Sequence, residues 1–189
     1  MKLTAALKEW AVAVEALQRG ETIVLLRKGG IREEGGRFSV THRQALLYPT
    51  YEHQKPELLD PDYKEKVTPV ESGWHPETIR LGAWAEITDI LPVSDPSELA
   101  ALLPYHIWND RMVGDRLKWK PRQPLYVLLL RTHKLQQPQI VAYRPEYGGC
   151  RSWIDLAAPI SLEASAPVLS DSAYNSQVAA IRNLIDGEF

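Results

Sequence analysis

Residues 21–27 read Glu-Thr-Ile-Val-Leu-Leu-Arg and residues 125–131 read Leu-Tyr-Val-Leu-Leu-Leu-Arg. These two runs decide the fold. Each is apolar at consecutive positions rather than at every second one. A strand buried on both faces explains that pattern best. The two runs are read as two central strands with similar ends. Nothing else matches at their separation, so they are not an internal repeat.

The flanking segments extend this outward. Leu3, Leu7, Trp10, Val14 and Leu17 recur at steps of four and three, which predicts an opening helix started by Thr4 and closed by Gly20. Short strands are expected at 38–40, at 44–48 with Pro49 as the stop, at an edge over 66–71, and at 139–143. A longer strand over 79–91 would carry Ile79, Leu81, Ala83, Ala85 and Ile87 on one face. Residues 33–36 read as a turn, and residues 55–62 and 144–151 as loops.

Asp95-Pro96-Ser97-Glu98 is a helix start: an acidic cap, proline in the first turn and a glutamate placed for a capping box. Pro104 begins a second helical segment over 105–117. A last helix starts at Ser170 or Asp171, with Tyr174, Val178, Ile181 and Ile185 as its stripe. Strands cluster and helices fall between the clusters. That order predicts an α+β domain over 1–189 with a mostly antiparallel sheet, not a doubly wound one.

A chain of 189 residues, 44% hydrophobic and 24% charged, has the make-up of a soluble globular domain. Its net charge of −2 gives no global field toward nucleic acid or an anionic membrane, so such a partner has to meet a local patch. Cys150 is the one cysteine, so no internal disulfide is possible. Lys8, Glu9 and Glu15 interrupt the apolar N-terminus, and no stretch reaches the ~18 apolar residues of a membrane span. The expectation is a cytoplasmic protein with no membrane partner.

Three stretches carry chemistry. Arg27-Lys28-Gly29-Gly30 follows a buried strand, and its cations and glycines suit a phosphate. The spacings of a P-loop and of GxGxxG are both absent. Tyr48, Thr50, Tyr51, Glu52, His53 and Gln54 place two phenols, a hydroxyl, an acid, an imidazole and an amide within seven residues. Rings there can stack on a base, while Glu52 and Gln54 read its edge. Glu52 and His53 are also candidates for catalytic acid and base, provided a turn brings them to one side. Trp108, Arg116, Lys118, Trp119 and Lys120 interleave rings and cations, the pattern that suits a single-stranded nucleic acid. The five histidines are scattered and neither HExxH nor CxxC occurs. No metal site and no cofactor is expected.

The phrases LKEWAVAVEAL, LLRKGGIRE, LLYPTYEHQ, PYHIWNDRMVGDRLKWKP, LYVLLLR and YGGCRSW resemble the bacterial and archaeal family called domain of unknown function 1802. The resemblance runs from Leu7 to Trp153 and implies no activity. A second likeness is to the PUA-like group with its ASCH and EVE domains, carried by the element order and by the pattern AWAEITDIL. It implies a mostly antiparallel small β-barrel flanked by helices, and RNA or modified bases as ligands. A fold of that kind does not fix a function.

The leading expectation is a binding module for single-stranded RNA or DNA or a nucleotide. Arg27 and Lys28 would meet phosphate, Tyr48, Tyr51 and His53 would hold the base, and residues 116–120 would extend the charge. One alternative is a metal-dependent hydrolase or nuclease using Glu52 and His53. Another is a protein–protein interaction module. Convergence of Arg27, Tyr51, His53 and Arg116 in one pocket is the observation that would separate these readings.

Overall fold

The computed structural model describes residues 1–28, 33–34, 37–38 and 40–185, with the backbone alone at 33–34 and 37–38. In chain order the elements are β1 (Lys2–Trp10), α1 (Ala11–Arg19), β2 (Val24–Arg27), β3 (Glu33–Glu34), β4 (Arg37–Phe38), β5 (Gln44–Thr50), α2 (Pro61–Lys64), β6 (Thr78–Val93), α3 (Pro96–Ala101), α4 (Asp110–Lys118), β7 (Leu125–Ala142), β8 (Trp153–Ser161), β9 (Ala166–Pro167) and α5 (Asp171–Ile185).

The two apolar runs pair with each other. Val24 to Arg27 lie antiparallel to Leu129 to Tyr126 in register. Val24, Leu25, Val127, Leu128 and Leu129 have no exposed surface, as a run buried on both faces requires. The main sheet has seven strands in the order β2-β7-β6-β5-β1-β8, with β9 also on β7. β1 and β5 run parallel, while the other pairs are antiparallel. β3 and β4 form a separate pair.

The sheet does not close into the expected barrel. β5 and β8 take the two edges of β1, so β2 finds no edge there. A side chain joins them instead: Arg27 Nη2 donates to the carbonyl of Lys8 at 2.8 Å.

The opening segment corrects the helix reading. Residues 2–10 are a strand, and the helix begins only at Ala11. Ladders on both sides outweigh the three-and-four spacing, which a strand also satisfies when it is buried on both faces. Leu7 and Leu47 enter one core cluster, while Ala6, Leu46 and Tyr48 enter the other. Gly20 closes α1 in the left-handed region, at φ 70°.

Pro49 does not stop β5. It pairs in register with Glu9, beyond the β6 ladder that ends at Leu46, so its missing N–H is not needed on that edge. Residues 66–71 are irregular rather than an edge strand, and Lys66 and Val67 bond back to the carbonyls of Tyr63 and Lys64. The strands expected at 125–131 and 139–143 are one strand, β7, laddered along β6 from Val93↔Leu125 to Thr78↔Ala142. The apolar alternation in β6 does not keep to one face. A register shift between Leu81 and Ala83 leaves Ile79 and Leu81 in one cluster and Ala83, Ala85 and Ile87 in the other. β8, over Trp153–Ser161, has no counterpart among the strands expected from the sequence.

α3 starts as predicted, with Asp95 accepting from the N–H of Ser97 at 2.7 Å. Pro104 lies within a 3₁₀ turn over Leu103–Tyr105, and the helix proper, α4, begins at Asp110 with Asn109 accepting from the N–H of Met112. α5 buries Tyr174 and Ile181. Among the described residues no helix is long and apolar enough to cross a membrane.

Candidate functional site

The parallel strands β1 and β5 end side by side, at Trp10 and Thr50. A cleft of about 760 Å³ opens at these ends. Arg27, Lys28, Tyr48, Thr50, Tyr51, Glu52, His53, Trp108, Arg116 and Trp119 all line it. Arg27, Tyr51, His53 and Arg116 therefore do converge, although they come from β2, the end of β5 and α4.

Side-chain alternation divides the cleft in two. Lys8 and Tyr48 are register partners on neighbouring strands, and their side chains leave on one face of the sheet. Glu9, next in the chain, leaves on the other. There Arg27 Nη2 lies 2.9 Å from Glu9 Oε2, and Arg116 is close enough to feel both charges. Met112 and Arg116 are one turn apart on α4, so both face this ionic end, and Trp119 follows them.

The other end is ringed by aromatics. His75 stacks on Tyr143 with centroids 3.4 Å apart, Tyr48 meets Tyr147 edge-on at 6.0 Å, and Tyr51 meets Trp74 edge-on at 6.0 Å. Lys8 Nζ lies beneath them and donates to the carbonyls of Tyr147 and Gly149, at 2.5 and 2.8 Å. Burial pulls its pKa below the usual lysine value. Burial pushes the Tyr48 phenol well above its usual value, so it stays a hydroxyl.

The turn that Glu52 and His53 needed is present. His53 sits at φ 65°, and its Nε2 lies 3.1 Å from Glu52 Oε1. Glu52 Oε1 also accepts from the N–H of Gly73 at 2.7 Å and from Ser72 Oγ at 3.2 Å. The Gly73 bond first, opposed by burial and aided by His53 and Ser72, holds this carboxyl below its usual pKa. Glu52 is thus a carboxylate that pins the loop bearing Trp74 and His75. Among the described residues no three or more His, Cys, Asp or Glu side chains are grouped to hold a metal ion.

Other candidates stand differently. Lys28 lines the cleft but is buried, and its Nζ donates to the carbonyl of Leu117 at 3.1 Å. Trp108 is buried too and serves as wall. Gln54 lies outside this cleft: its Oε1 accepts from the N–H of Val12 at 3.0 Å, in the first turn of α1. Lys118 and Lys120 are not among the lining residues, and Lys120 Nζ rests 4.6 Å over the Trp119 ring. Gly29 and Gly30 lie outside the described residues.

Sequence reasoning missed Lys8, Glu9, Trp74, His75, Tyr143 and Tyr147 as cleft residues. Lys8 and Glu9 interrupt an apolar run that proves to be a strand, and an acid and a base in its buried part are the signal that was available. The remainder are brought in by long-range pairing of β6 with β7, which no local pattern announces.

Comparison with known proteins gives a family and two structures. The family model described as Domain of unknown function (DUF1802) matches residues 6–180. Crystal structures of two single-substitution variants of ZmASCH from Zymomonas mobilis are similar at 11% and 13% identity. They cover 93% of this chain and 96% and 94% of theirs, with TM-scores of 0.46 and 0.43. No curated protein matches the chain.

Proposed function

The chain belongs to the domain of unknown function 1802 family, whose name brings no chemistry with it, and we propose from the cleft itself that the protein binds single-stranded nucleic acid or a nucleotide. One observation carries this reading. Trp74 and Trp119 are 46% and 49% exposed, and both stand on this one cleft. Large rings left in water beside a groove suit ligands that stack.

The charge of the lining points the same way. Among the described lining residues, Lys8, Arg27, Lys28, Arg116 and Arg151 face the carboxylates of Glu9 and Glu52. This local excess of cations is what a chain of net charge −2 would need to attract a polyanion. Phosphate is assigned to the end with Arg27 and Arg116, and the base to the end with Tyr51, His53 and Trp74.

The hydrolase alternative draws less support, because Glu52 is already spent on the 72–73 turn. A flat docking patch for a protein is also less favoured, since Tyr51, His53, Trp108 and Trp119 share a concave site.

The test is a tryptophan fluorescence titration with a single-stranded RNA oligomer at stepped salt. Quenching is expected, with log K falling by about 0.7 per neutralised phosphate for each unit of log salt. No quenching at low salt would overturn the reading.

A further inference from the structure

The floor of the cleft holds hydrogen-bond donors that the protein does not use. Tyr48 is 2% exposed and lines the cleft, and its hydroxyl has no hydrogen-bond partner among the described residues. Buried hydroxyls are normally satisfied, so an orphan facing a cleft calls for an explanation. Beside it, Lys8 Nζ spends two N–H groups on the carbonyls of Tyr147 and Gly149. An ammonium has three, so one donor remains. Lys8 and Tyr48 are register partners on parallel strands, so both present their polar ends to the same part of the cleft.

The surroundings say what kind of acceptor fits. Tyr48, Tyr147 and the stacked pair His75–Tyr143 bound this end, and Ile79 lines it as well. These are flat and apolar walls that suit a planar ring. The guanidinium groups of Arg27 and Arg116 lie at the other end, where Arg27 is paired with Glu9.

We propose that Lys8 Nζ and Tyr48 Oη form a subsite for the carbonyl oxygen of a nucleobase, so that the cleft selects keto bases such as uracil over adenine. Two donors at the floor meet a carbonyl lone pair directly. The amino edge of adenine offers them a donor instead, which leaves the Lys8 N–H and the Tyr48 hydroxyl proton without an acceptor. This inference rests on the nucleic-acid reading of the same cleft and adds its base preference.

The test uses the full chain, with uridine 5′-monophosphate, adenosine 5′-monophosphate and ribose 5-phosphate as probes in calorimetric titrations. The uridine nucleotide is expected to bind about tenfold tighter than the adenosine one. Tyr48→Phe is expected to abolish that preference. It should fold at least as well as the wild type, because the hydroxyl it removes bonds to nothing in the protein.

Equal binding of the two nucleotides, or a preference that survives Tyr48→Phe, overturns the carbonyl subsite and leaves the nucleotide cleft standing. If Tyr48→Phe weakens all three probes alike, the oxygen on the floor belongs to phosphate and the base assignment is wrong. If no probe binds and single-stranded RNA also fails, the cleft is not a nucleotide site, and this inference falls with that reading.

Discussion

Arg27 Nη2 lies 2.9 Å from Glu9 Oε2 and donates to the carbonyl of Lys8 at 2.8 Å, so one side chain ties β2 to β1 where no strand ladder does. Glu9 in turn accepts from the N–H of Trp10 at 2.8 Å, and the Thr50 hydroxyl donates to the Glu9 carbonyl at 3.0 Å. The pair is largely shielded, with side chains 16% and 9% exposed. Removing one partner of such a pair leaves the other charge uncompensated.

Glu9→Ala and Arg27→Met are therefore each expected to destabilise the fold by about 3 kcal/mol, because the first strands the Arg27 guanidinium and the second the Glu9 carboxylate. The double variant should cost less than the sum of the two. Urea denaturation of all three variants measures this. Additive costs would mean that the pair does not couple the two strands.

The exposed rings make a prediction of a different kind. Trp74→Ala and Trp119→Ala should each weaken single-stranded RNA binding by about 1–3 kcal/mol. Their melting temperatures should stay close to that of the wild type, because half-exposed side chains contribute little to the core. Arg116→Ala should weaken binding more than Lys120→Ala, since Arg116 lines the cleft and Lys120 sits on the Trp119 ring. Filter binding at low salt, with thermal melts as the control, decides it. Unchanged affinity in both tryptophan variants would remove stacking from the account.

What could be read in the sequence was whatever depends on short-range chemistry. Runs of consecutive apolar residues identified β2 and the first part of β7, because only burial on both faces tolerates them. Asp95-Pro96 marked α3, because a cap acts within one turn. Parts of the basic and aromatic stretches line one cleft: Arg27 and residues 48–53 lie at the ends of β2 and β5, while Trp108, Arg116 and Trp119 reach it from α4 and its flanks. What could not be read depends on partners distant in the chain. Residues 2–10 have the spacing of a helix and become a strand because β5 and β8 flank them. β8 arrives by pairing with β1 more than a hundred residues away, and Tyr143 arrives at the end of the long β6–β7 ladder. Lys8 could not be given a role until Tyr147 was placed above it.

Gly20 shows the short-range case quantitatively. It holds φ 70° at the end of α1, with its N–H donating to the carbonyl of Leu17 and the next N–H to that of Ala16. A Cβ there would lie 2.8 Å from Leu169 Cδ2 and 3.1 Å from Val168 Cγ1. Gly20→Ala meets both a left-handed backbone and a crowded site, so a loss of about 1–2 kcal/mol is expected in chemical denaturation. A loss below about 0.5 kcal/mol would show that this end of α1 adjusts freely.

His106 gives the fold an acid sensitivity that can be isolated. It is 5% exposed, and neither ring nitrogen has a hydrogen-bond partner among the described residues. Burial lowers its pKa from 6.5 to about 4. The unfolded chain therefore takes up this proton before the folded one does. The contribution of neutral His106 is fully present above pH 6.5, falls as pH drops below that value, and is gone below about 4. The shift corresponds to roughly 3 kcal/mol over that window. Carboxylates titrate in the lower part of it, so the comparison has to be with His106→Phe, which keeps a ring and removes the titration. The stability difference between wild type and variant, measured by urea denaturation at steps between pH 7 and 4.5, should shift in favour of the variant as pH falls, by up to about 1.4 kcal/mol per pH unit. Parallel curves would show that His106 is charged, or already solvated, in the folded state.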